Sequence, residues 1–358
     1  LIVVQGDTEP ASVEQQRYLS QTAPSLYDLR NLFQINVEEG RHLWAMVYLL
    51  HAYFGRDGRD EADALLERNS GDPDHPRILG AFNEKTSDWL SYLLFTYFTD
   101  RDGKYQLGAL KESAFDPLSR TCEFMLKEEA HHMFVGASGI GRVIQRTCDV
   151  MNEHNTDDVR KYGVIDLETL QKYVNFHFSV SLDLFGSETS TNAANYYSAG
   201  LKGRFAEDSY QDDHVLIEEE DFIIEAKDGL WRKTPKPAIT VVNQQLRRSY
   251  IDDCAKGVRR WNRILDQNGV DFQLKLPHEA FHRQVGLYQE EFVTPEGTIT
   301  SQDEWNAVAS NFLPTDSDRD FVLSLMQPVY DQGQMASWIS PPTTGIHTQG
   351  IDYDYVRL

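Results

Sequence analysis

The feature that most constrains this chain is an eight-residue motif that occurs twice. Residues 37–44 read VEEGRHLW and residues 127–134 read KEEAHHMF. In register, both copies have two glutamates, a small residue, a variable residue, a histidine, an apolar residue and an aromatic residue. A glutamate and a histidine three positions apart on a helix share one face and lie one turn apart. Each copy can therefore direct two polar side chains to one point inside a helical bundle.

Convergent ligands of this kind are what a metal ion in a bundle requires. The predicted pairs are Glu39 with His42 in the first copy and Glu129 with His132 in the second. One Glu-x-x-His pattern alone carries little weight, because glutamate is common on exposed helix faces. Two copies in register favour a paired-metal site over an accident of a solvated face.

The glutamates next to the predicted ligands allow a second reading of the motif. Glu128 with His131 also forms a Glu-x-x-His pair. The apolar stripe of the helix and the register of the first copy favour the pair one residue later. Glu38 and Glu128 are then expected to lie behind the ligands, each holding the histidine of the opposite motif.

Each motif also has a carboxylate about one helical hairpin upstream. Glu9 precedes Glu39 by 30 residues, and Asp100 precedes Glu129 by 29 residues. Such a separation allows about 13 residues up one helix and about 13 down the next, roughly 20 Å each way. Helical phase alone leaves Asp7 as an alternative to Glu9. Four carboxylates balance two divalent cations, and oxygen-rich ligation with one imidazole per metal favours iron or manganese over thiolate-bound zinc.

The hydrophobic pattern predicts a mainly α protein built on a ferritin-like four-helix bundle. Further helices and a small β-containing C-terminal extension are expected to follow. We assign residues 1–150 to the bundle and 151–358 to an extension packed on it, and we expect the two to form one structural unit. The bundle helices are predicted at 1–22, 26–54, 84–101 and 117–151, with a short helix at 61–68.

The extension has weaker signals. Its predicted elements are a helix from Asp166 to Leu184, a loop at 186–203, strands at 215–224 and 238–242, a basic helix at 243–265, a hairpin at 293–300, a helix capped by Ser301 and Glu304, and an extended tail over the last 30 residues.

Composition excludes several classes of function. The 358 residues contain 56 acidic and 34 basic side chains, a formal charge of −22. Such a charge disfavours nucleic acid and anionic membranes as partners. Three cysteines form no disulfide framework, the apolar opening at 1–4 is too short to span a membrane, and no basic leader precedes it. A reduced, cytoplasmic protein is expected.

Two other motifs have simpler explanations than catalysis. The sequence HEAFH at 278–282 matches the zinc-protease pattern, with His278 and His282 as ligands and Glu279 as base. Pro277 places it at the start of any helix, so an ordinary helix start is favoured. The sequence GASGIG at 136–141 lacks the preceding strand of a dinucleotide-binding turn. Its small residues instead predict close helix packing.

The residues of the doubled motif, with Glu9 and Asp100, resemble the bacterial di-iron oxygenases that act on aromatic acyl-CoA thioesters. Many di-iron oxygenases have glutamate as the third carboxylate. The aspartate found here, Asp100, resembles the pattern of this group and of its phenylacetyl-CoA relatives. The long extension past residue 150 resembles the benzoyl-CoA enzymes more than the smaller phenylacetyl-CoA subunits. The motifs on which this resemblance rests all lie within residues 1–150, and the extension contains no short motif of the group.

This resemblance implies a catalytic function. A site of two iron ions would use O2 to epoxidise benzoyl-CoA to 2,3-epoxy-2,3-dihydrobenzoyl-CoA, in the catabolism of aromatic compounds. It also implies a separate NADPH-dependent reductase with FAD and an iron–sulfur cluster, because this sequence has no reductase motif. Alternatives are a phenylacetyl-CoA epoxidase and a ferritin-like iron-binding protein without turnover. The roughly 200 residues beyond the bundle argue against storage.

Substrate contacts are predicted from charge and helical phase. CoA carries phosphates, so an acidic protein needs a local basic patch, and the arginine-rich helix supplies Arg247 and Arg248 as candidates. The alternative is a helix paired with the acidic surface. Gln5, one turn before Glu9, is expected to face the substrate thioester.

Overall fold

The doubled motif and its upstream carboxylates lie on four helices that pack into a bundle. The computed structural model describes residues 1–210, 216, 220–329 and 334–343. Helix α1 packs on α2, α4 on α5, and α2 on α5. The first five helices are α1 (Ile2–Gln16), α2 (Leu26–Tyr53), α3 (Gly55–Glu67), α4 (Trp89–Leu110) and α5 (Asp116–His154).

Side-chain caps fix where these helices begin. Ser25 accepts a hydrogen bond from the backbone of Asp28 at the start of α2, and Asp88 accepts one from Ser91 at the start of α4. Helix α4 therefore starts five residues later than the predicted residue 84. It continues to Leu110 because both its faces are buried, so packing overrides the weak helix propensity of Gly103.

Glycines let α4 and α5 approach closely. A Cβ atom on Gly136 would lie 2.5 Å from the backbone nitrogen of Tyr97, and one on Gly139 would lie 2.3 Å from Leu93 Cδ2. Real side chains do not reach these distances, so only hydrogen fits at either position. The prediction of close helix packing at 136–141 is confirmed. This contact holds the α5 ligands level with Asp100 on α4.

We expect Gly136→Ala to lower the free energy of unfolding by about 2 kcal/mol or more, because the new methyl group meets α4 backbone that cannot move aside. Thermal unfolding of the metal-free protein measures the change. Gly40→Ala on α2 is the matched control, since no atom lies within 4 Å of its Cβ. The control should be stabilised by about 0.5–1 kcal/mol. Equal changes in both variants would contradict this account of the interface.

The second half of the chain adds helices and two small antiparallel sheets. The elements are α6 (Leu167–Leu182), α7 (Thr191–Ser198), β1 (Glu220–Lys227), β2 (Leu230–Pro237), α8 (Val242–Gln267), β3 (Phe292–Val293), β4 (Ile299–Thr300), α9 (Gln302–Phe312) and α10 (Asp316–Leu325). β1 pairs with β2, and β3 with β4. The predicted hairpin at 293–300 and the capping box at Ser301 are confirmed.

Two expectations for this half were wrong, and a third is confirmed only over residues 220–224. Residues 238–241 form a 3-10 helix rather than a strand, since β2 ends at Pro237 and the chain turns directly into α8. Helix α7 lies inside the predicted loop, capped by Ser190. The predicted strand at 215–224 is displaced toward 220–227, and its residues 215 and 217–219 lie outside the described residues. Residues 330–333 and 344–358 of the predicted tail lie outside them as well.

One large hydrophobic core joins the two halves of the chain. It includes Leu93 and Tyr97 of α4, Val143 of α5, and Tyr250 and Trp261 of α8. Helix α8 therefore packs directly on the bundle. The mainly helical class with a small β region is confirmed. None of the described helices is long and apolar enough to cross a membrane.

Candidate metal centre

Six polar side chains from four helices meet in the middle of the bundle. All are buried, with between 0% and 7% of each residue exposed. They are Glu9 of α1, Glu39 and His42 of α2, Asp100 of α4, and Glu129 and His132 of α5. The structure thus brings together all six side chains proposed as ligands from the sequence.

The first imidazole faces three carboxylates. The Nδ1 atom of His42 lies 3.3 Å from Glu9 Oε2, 3.8 Å from Glu39 Oε2 and 3.9 Å from Glu129 Oε1. Within the described residues, this nitrogen has no hydrogen-bond partner. An unpartnered nitrogen buried among carboxylate oxygens is the environment expected of a metal ligand without its metal.

The second imidazole repeats this arrangement. The Nδ1 atom of His132 lies 3.4 Å from Glu39 Oε1, 3.5 Å from Glu129 Oε2 and 3.6 Å from Asp100 Oδ2. It too has no hydrogen-bond partner among the described residues, and the same is true of the Asp100 and Glu129 oxygens that face it.

Two carboxylates lie between the imidazoles and two lie at the ends. Glu39 and Glu129 each direct one oxygen toward His42 and the other toward His132. Glu9 and Asp100 each face one imidazole only. Ligand atoms of Glu9, Glu39 and His42 lie within 4.8 Å of one another, as do those of Glu39, Asp100 and His132. Two cations sharing Glu39 and Glu129 fit this geometry.

The electrostatics show how costly these groups are without a cation. Burial raises the pKa of Asp100 to about 8, and the charges of Glu129 and Glu9 add to the rise. Burial and the Glu9 charge also raise the pKa of Glu39 well above its usual range. Burial lowers the pKa of His42, but contact with Glu9 outweighs this and leaves it at about 9. Protons held by this cluster would leave when cations bind.

The outer nitrogens of the two imidazoles are held across the motif. His42 Nε2 lies 2.9 Å from Glu128 Oε2, and His132 Nε2 lies 2.9 Å from Glu38 Oε2. Each glutamate thus contacts the histidine of the opposite copy, as expected from the sequence. These bonds direct both Nδ1 atoms inward.

The residue at the variable position of each motif also contacts a glutamate of the other motif. The sequence analysis did not predict these contacts. Arg41 donates a hydrogen bond to Glu128, and His131 Nδ1 lies 3.5 Å from Glu38. The signal was available, because Arg41 and His131 occupy equivalent places in the two copies. The reading with Glu128 and His131 as inner ligands does not fit, because Glu128 contacts the outer nitrogen of His42.

The contacts of Asp7 favour Glu9 as the predicted ligand, a choice that helical phase left open. Asp7 accepts hydrogen bonds from Arg77 Nη1 at 3.3 Å and from the backbone of Ile78 at 2.5 Å. Its carboxylate is therefore occupied away from the imidazoles. Gln5 Nε2 donates to Glu9 Oε1 at 2.8 Å, so Gln5 lies beside the cluster.

We expect Glu128→Gln to weaken metal binding by about 10-fold to 100-fold while the fold is kept, because the neutral amide orients His42 less strongly. Competition with a metal chelator measures the affinity. The control is Glu123→Gln on the same helix, whose side chain is 65% exposed and pairs with Lys127. If only the control loses affinity, or if neither variant does, Glu128 does not orient His42 for metal binding.

A cavity of about 420 Å³ opens beside the cluster. Its wall includes the four carboxylates of the cluster, those of Glu9, Glu39, Asp100 and Glu129. Apolar walls come from several elements, and Gln5 also lines the cavity. The apolar lining residues include Leu79, Phe82, Leu110, Leu184 and Phe185. A hydrophobic ring placed here would contact the carboxylate cluster directly.

The predicted CoA contacts on α8 need correction. Arg247 is fully buried and bonds to Glu188, to Gln244 and to the carbonyl oxygen of Gly186. Arg248 is partly exposed, but its guanidinium is engaged by Asp221 at 2.8 Å. Arg247 therefore has no surface to offer to a phosphate. The alternative of a helix that pairs with acidic side chains describes both residues better.

The HEAFH sequence does not form a zinc site. Residues 278–282 form turns, with no helix to align the two histidines, so the expected helix start is wrong as well. His278 stacks on Trp231, and Glu279 accepts a hydrogen bond from Gln244. The positive φ of His282 breaks the helical geometry that the motif requires.

Four helices that enclose two carboxylates between two imidazoles, with one further carboxylate beside each imidazole, have an arrangement similar to that of the dinuclear carboxylate proteins. No family model matches the chain. The chain is 59% identical over 361 residues to benzoyl-CoA oxygenase component B of Aromatoleum evansii, covering 100% of this chain and 76% of the relative. The chain therefore belongs to the benzoyl-CoA oxygenase component B family, and it is an oxidoreductase of the oxygenase class. The resemblance predicted from the sequence is confirmed.

Proposed function

We propose that this chain is a di-iron monooxygenase that epoxidises the ring of benzoyl-CoA to 2,3-epoxy-2,3-dihydrobenzoyl-CoA. The observation that carries the proposal is the cluster of four carboxylates and two imidazoles, whose carboxylates line a partly apolar cavity. The name of its relative, a benzoyl-CoA oxygenase component, supports both the substrate and the reaction class.

The ligand set suits two divalent cations. Glu9 and His42 would hold one, Asp100 and His132 the other, with Glu39 and Glu129 shared between them. Four carboxylates supply the charge that balances two ferrous ions, and oxygen-rich ligation favours iron over zinc. Two iron ions bound here would supply the redox chemistry that adds one atom of O2 across the ring 2,3 bond and releases the other as water.

The protein's own contribution is to orient the substrate and exclude water. Phe82, Leu184 and Phe185 present an apolar surface to the ring, which keeps bulk water away from the reacting carbons. The four carboxylates define the part of the cavity wall near which the 2,3 edge must lie. Gln5 donates a hydrogen bond to Glu9 and so helps to position one proposed ligand. Gln5 also lines the cavity, and we propose that its amide contacts the substrate thioester there.

Electrons are proposed to come from a separate reductase that carries FAD and an iron–sulfur cluster and uses NADPH. The relative is named as component B, which implies at least one further component in its system. The reaction needs two electrons for each O2, because one oxygen atom enters the ring and the other is reduced to water.

The test combines metal analysis with turnover. The protein is loaded anaerobically with ferrous iron, reduced, and exposed to 18O2 with benzoyl-CoA. We expect about two iron atoms per chain and a product that carries one 18O atom. Product from phenylacetyl-CoA but not from benzoyl-CoA would overturn the substrate. Iron uptake without substrate-dependent O2 consumption would support an iron-binding protein without turnover.

A further inference from the structure

A single cationic side chain lines the cavity that leads to the carboxylate cluster. Lys202 is the only lysine or arginine among the described residues of its wall. The remaining polar lining residues are neutral or acidic. A single cationic side chain in a cavity lined by apolar and acidic residues has a restricted set of roles.

The backbone holds Lys202 firmly against α4. The backbone N–H of the next residue, Gly203, donates to the carbonyl oxygen of Ala109 at 2.8 Å, and Ala114 N–H donates to Gly200 at 2.7 Å. A Cβ atom on Gly203 would lie 2.6 Å from Glu112 Cβ, so this close approach requires glycine. The position of Lys202 is therefore set by its backbone.

The ammonium group of Lys202 has N–H donors that no described residue accepts. It donates to Gln106 Oε1 at 2.8 Å, and Gln106 in turn donates to Asp102 Oδ1 at 3.2 Å. An ammonium has three N–H donors, and the described residues use one of them. Burial lowers the pKa of Lys202 to about 8, against the opposing charge of Asp102, so the group is mainly charged at neutral pH.

We propose that Lys202 donates a hydrogen bond to the thioester carbonyl oxygen of an aromatic acyl-CoA bound in the cavity. This inference rests on the proposed function and names a residue that positions its substrate. A fixed carbonyl oxygen also orients the ring, because conjugation keeps the ring close to the plane of the carbonyl group. Lys202 would thereby decide which ring edge faces Glu39 and Glu129.

The spacing along α4 fits this role. Asp100, Gly103 and Gln106 recur every three residues along the cavity side of the helix, and all three line the cavity. Six residues correspond to about 9 Å of helix axis between Asp100 and Gln106, beside which the Lys202 ammonium lies. This spacing leaves room between the ammonium and the carboxylate cluster for the carbonyl group and the ring carbons next to it.

Two other roles for Lys202 make different predictions. A purely structural lysine would only neutralise Asp102 through Gln106, and its loss would affect all ligands equally. A lysine that binds a CoA phosphate would contribute equally to every CoA derivative. Only a bond to the carbonyl oxygen distinguishes a thioester from a ligand that has a methylene group in place of the carbonyl.

The experiment measures anaerobic binding of two ligands to the iron-loaded protein by calorimetry. The ligands are benzoyl-CoA and S-benzyl-CoA, a thioether that lacks the carbonyl oxygen. We expect the wild-type protein to prefer the thioester by about 10-fold to 100-fold, as a charge-assisted hydrogen bond gives. Lys202→Met should reduce this preference to about twofold or less, and Lys202→Arg should keep part of it.

Lys104→Met is the matched control. Lys104 is a lysine on α4 that pairs with Asp253 and does not line the cavity, so its variant should keep the wild-type preference. Iron content and thermal stability show whether each variant is folded. If Lys202→Met weakens both ligands equally, or keeps the preference, the inference is wrong while the proposed function stands. If the wild-type protein binds neither ligand, the proposed substrate itself is wrong.

Discussion

Replacing Glu39 by glutamine is expected to abolish turnover and to lower the iron content from about two atoms per chain to one or none. Glu39 is the carboxylate with one oxygen 3.8 Å from His42 Nδ1 and the other 3.4 Å from His132 Nδ1. Glutamine keeps the volume but offers one oxygen and no charge, so it cannot bridge two cations. Loss of outer partners alone costs up to about 100-fold in activity. We therefore expect at least that loss for Glu39→Gln.

Iron per chain and 18O incorporation into benzoyl-CoA are the two measurements. Glu67→Gln is a suitable control, since Glu67 is an exposed glutamate at the end of α3, away from the bundle interior. A Glu39→Gln protein that binds two iron atoms and turns over normally would remove the bridging role. Loss of turnover with both iron atoms retained would instead assign Glu39 to a later step than metal binding.

The convergence of six side chains could be predicted from sequence because its signals are local and repeated. A period of three residues within each motif and a separation of about 30 residues to each upstream carboxylate together specify one level of a bundle. The structure brings Glu9 and Asp100 to that level. Their role as metal ligands stays a prediction that the Glu39 variant tests.

The cavity could not be predicted in the same way, because its wall is assembled from distant segments. Lys202 lies in a stretch rich in glycine, serine and asparagine that has no helical or strand period, yet it meets Gln106 across 96 residues. Arg247 looked like a surface cation because α8 is strongly basic. Its partner Glu188 is 59 residues away in the sequence, and no local sequence pattern predicts that buried ion pair.

The small sheets show the limits of hydrophobic alternation. Strand β2 is rich in charged residues and proline, so its pattern did not predict a strand. The turn before it carried the better signal. Asp228 and Gly229 join β1 to β2, and both have positive φ. Two-residue hairpin turns of this kind favour the sequence Asp-Gly.

Asp100→Asn is expected to change stability in opposite directions with and without metal. Burial raises the pKa of Asp100 to about 8 in the metal-free protein, above the value of about 3.9 in an unfolded chain. Ionisation is therefore less favourable in the folded state. The carboxylate makes the metal-free protein less stable as pH rises from about 4 to 8, and a neutral amide removes this cost.

We expect the metal-free Asp100→Asn protein at pH 8 to be more stable than the wild type by several kcal/mol, at most about 5, because that is the free energy that corresponds to the difference between a pKa of about 8 and one of about 3.9. The difference should shrink as the pH is lowered toward 4, where the aspartate is protonated in the folded state and about half protonated in the unfolded chain. Chemical unfolding of chelator-treated protein across this pH range measures it.

In the iron-loaded protein the sign should reverse. Asp100 Oδ2 faces His132 Nδ1 at 3.6 Å and has no hydrogen-bond partner among the described residues. Asparagine supplies a weaker neutral ligand there, so less metal-binding energy is available to stabilise the folded state. The variant should melt below the wild type when both are loaded. A carboxylate kept only for structure would give the same sign in both forms, because nothing in that role depends on the cation.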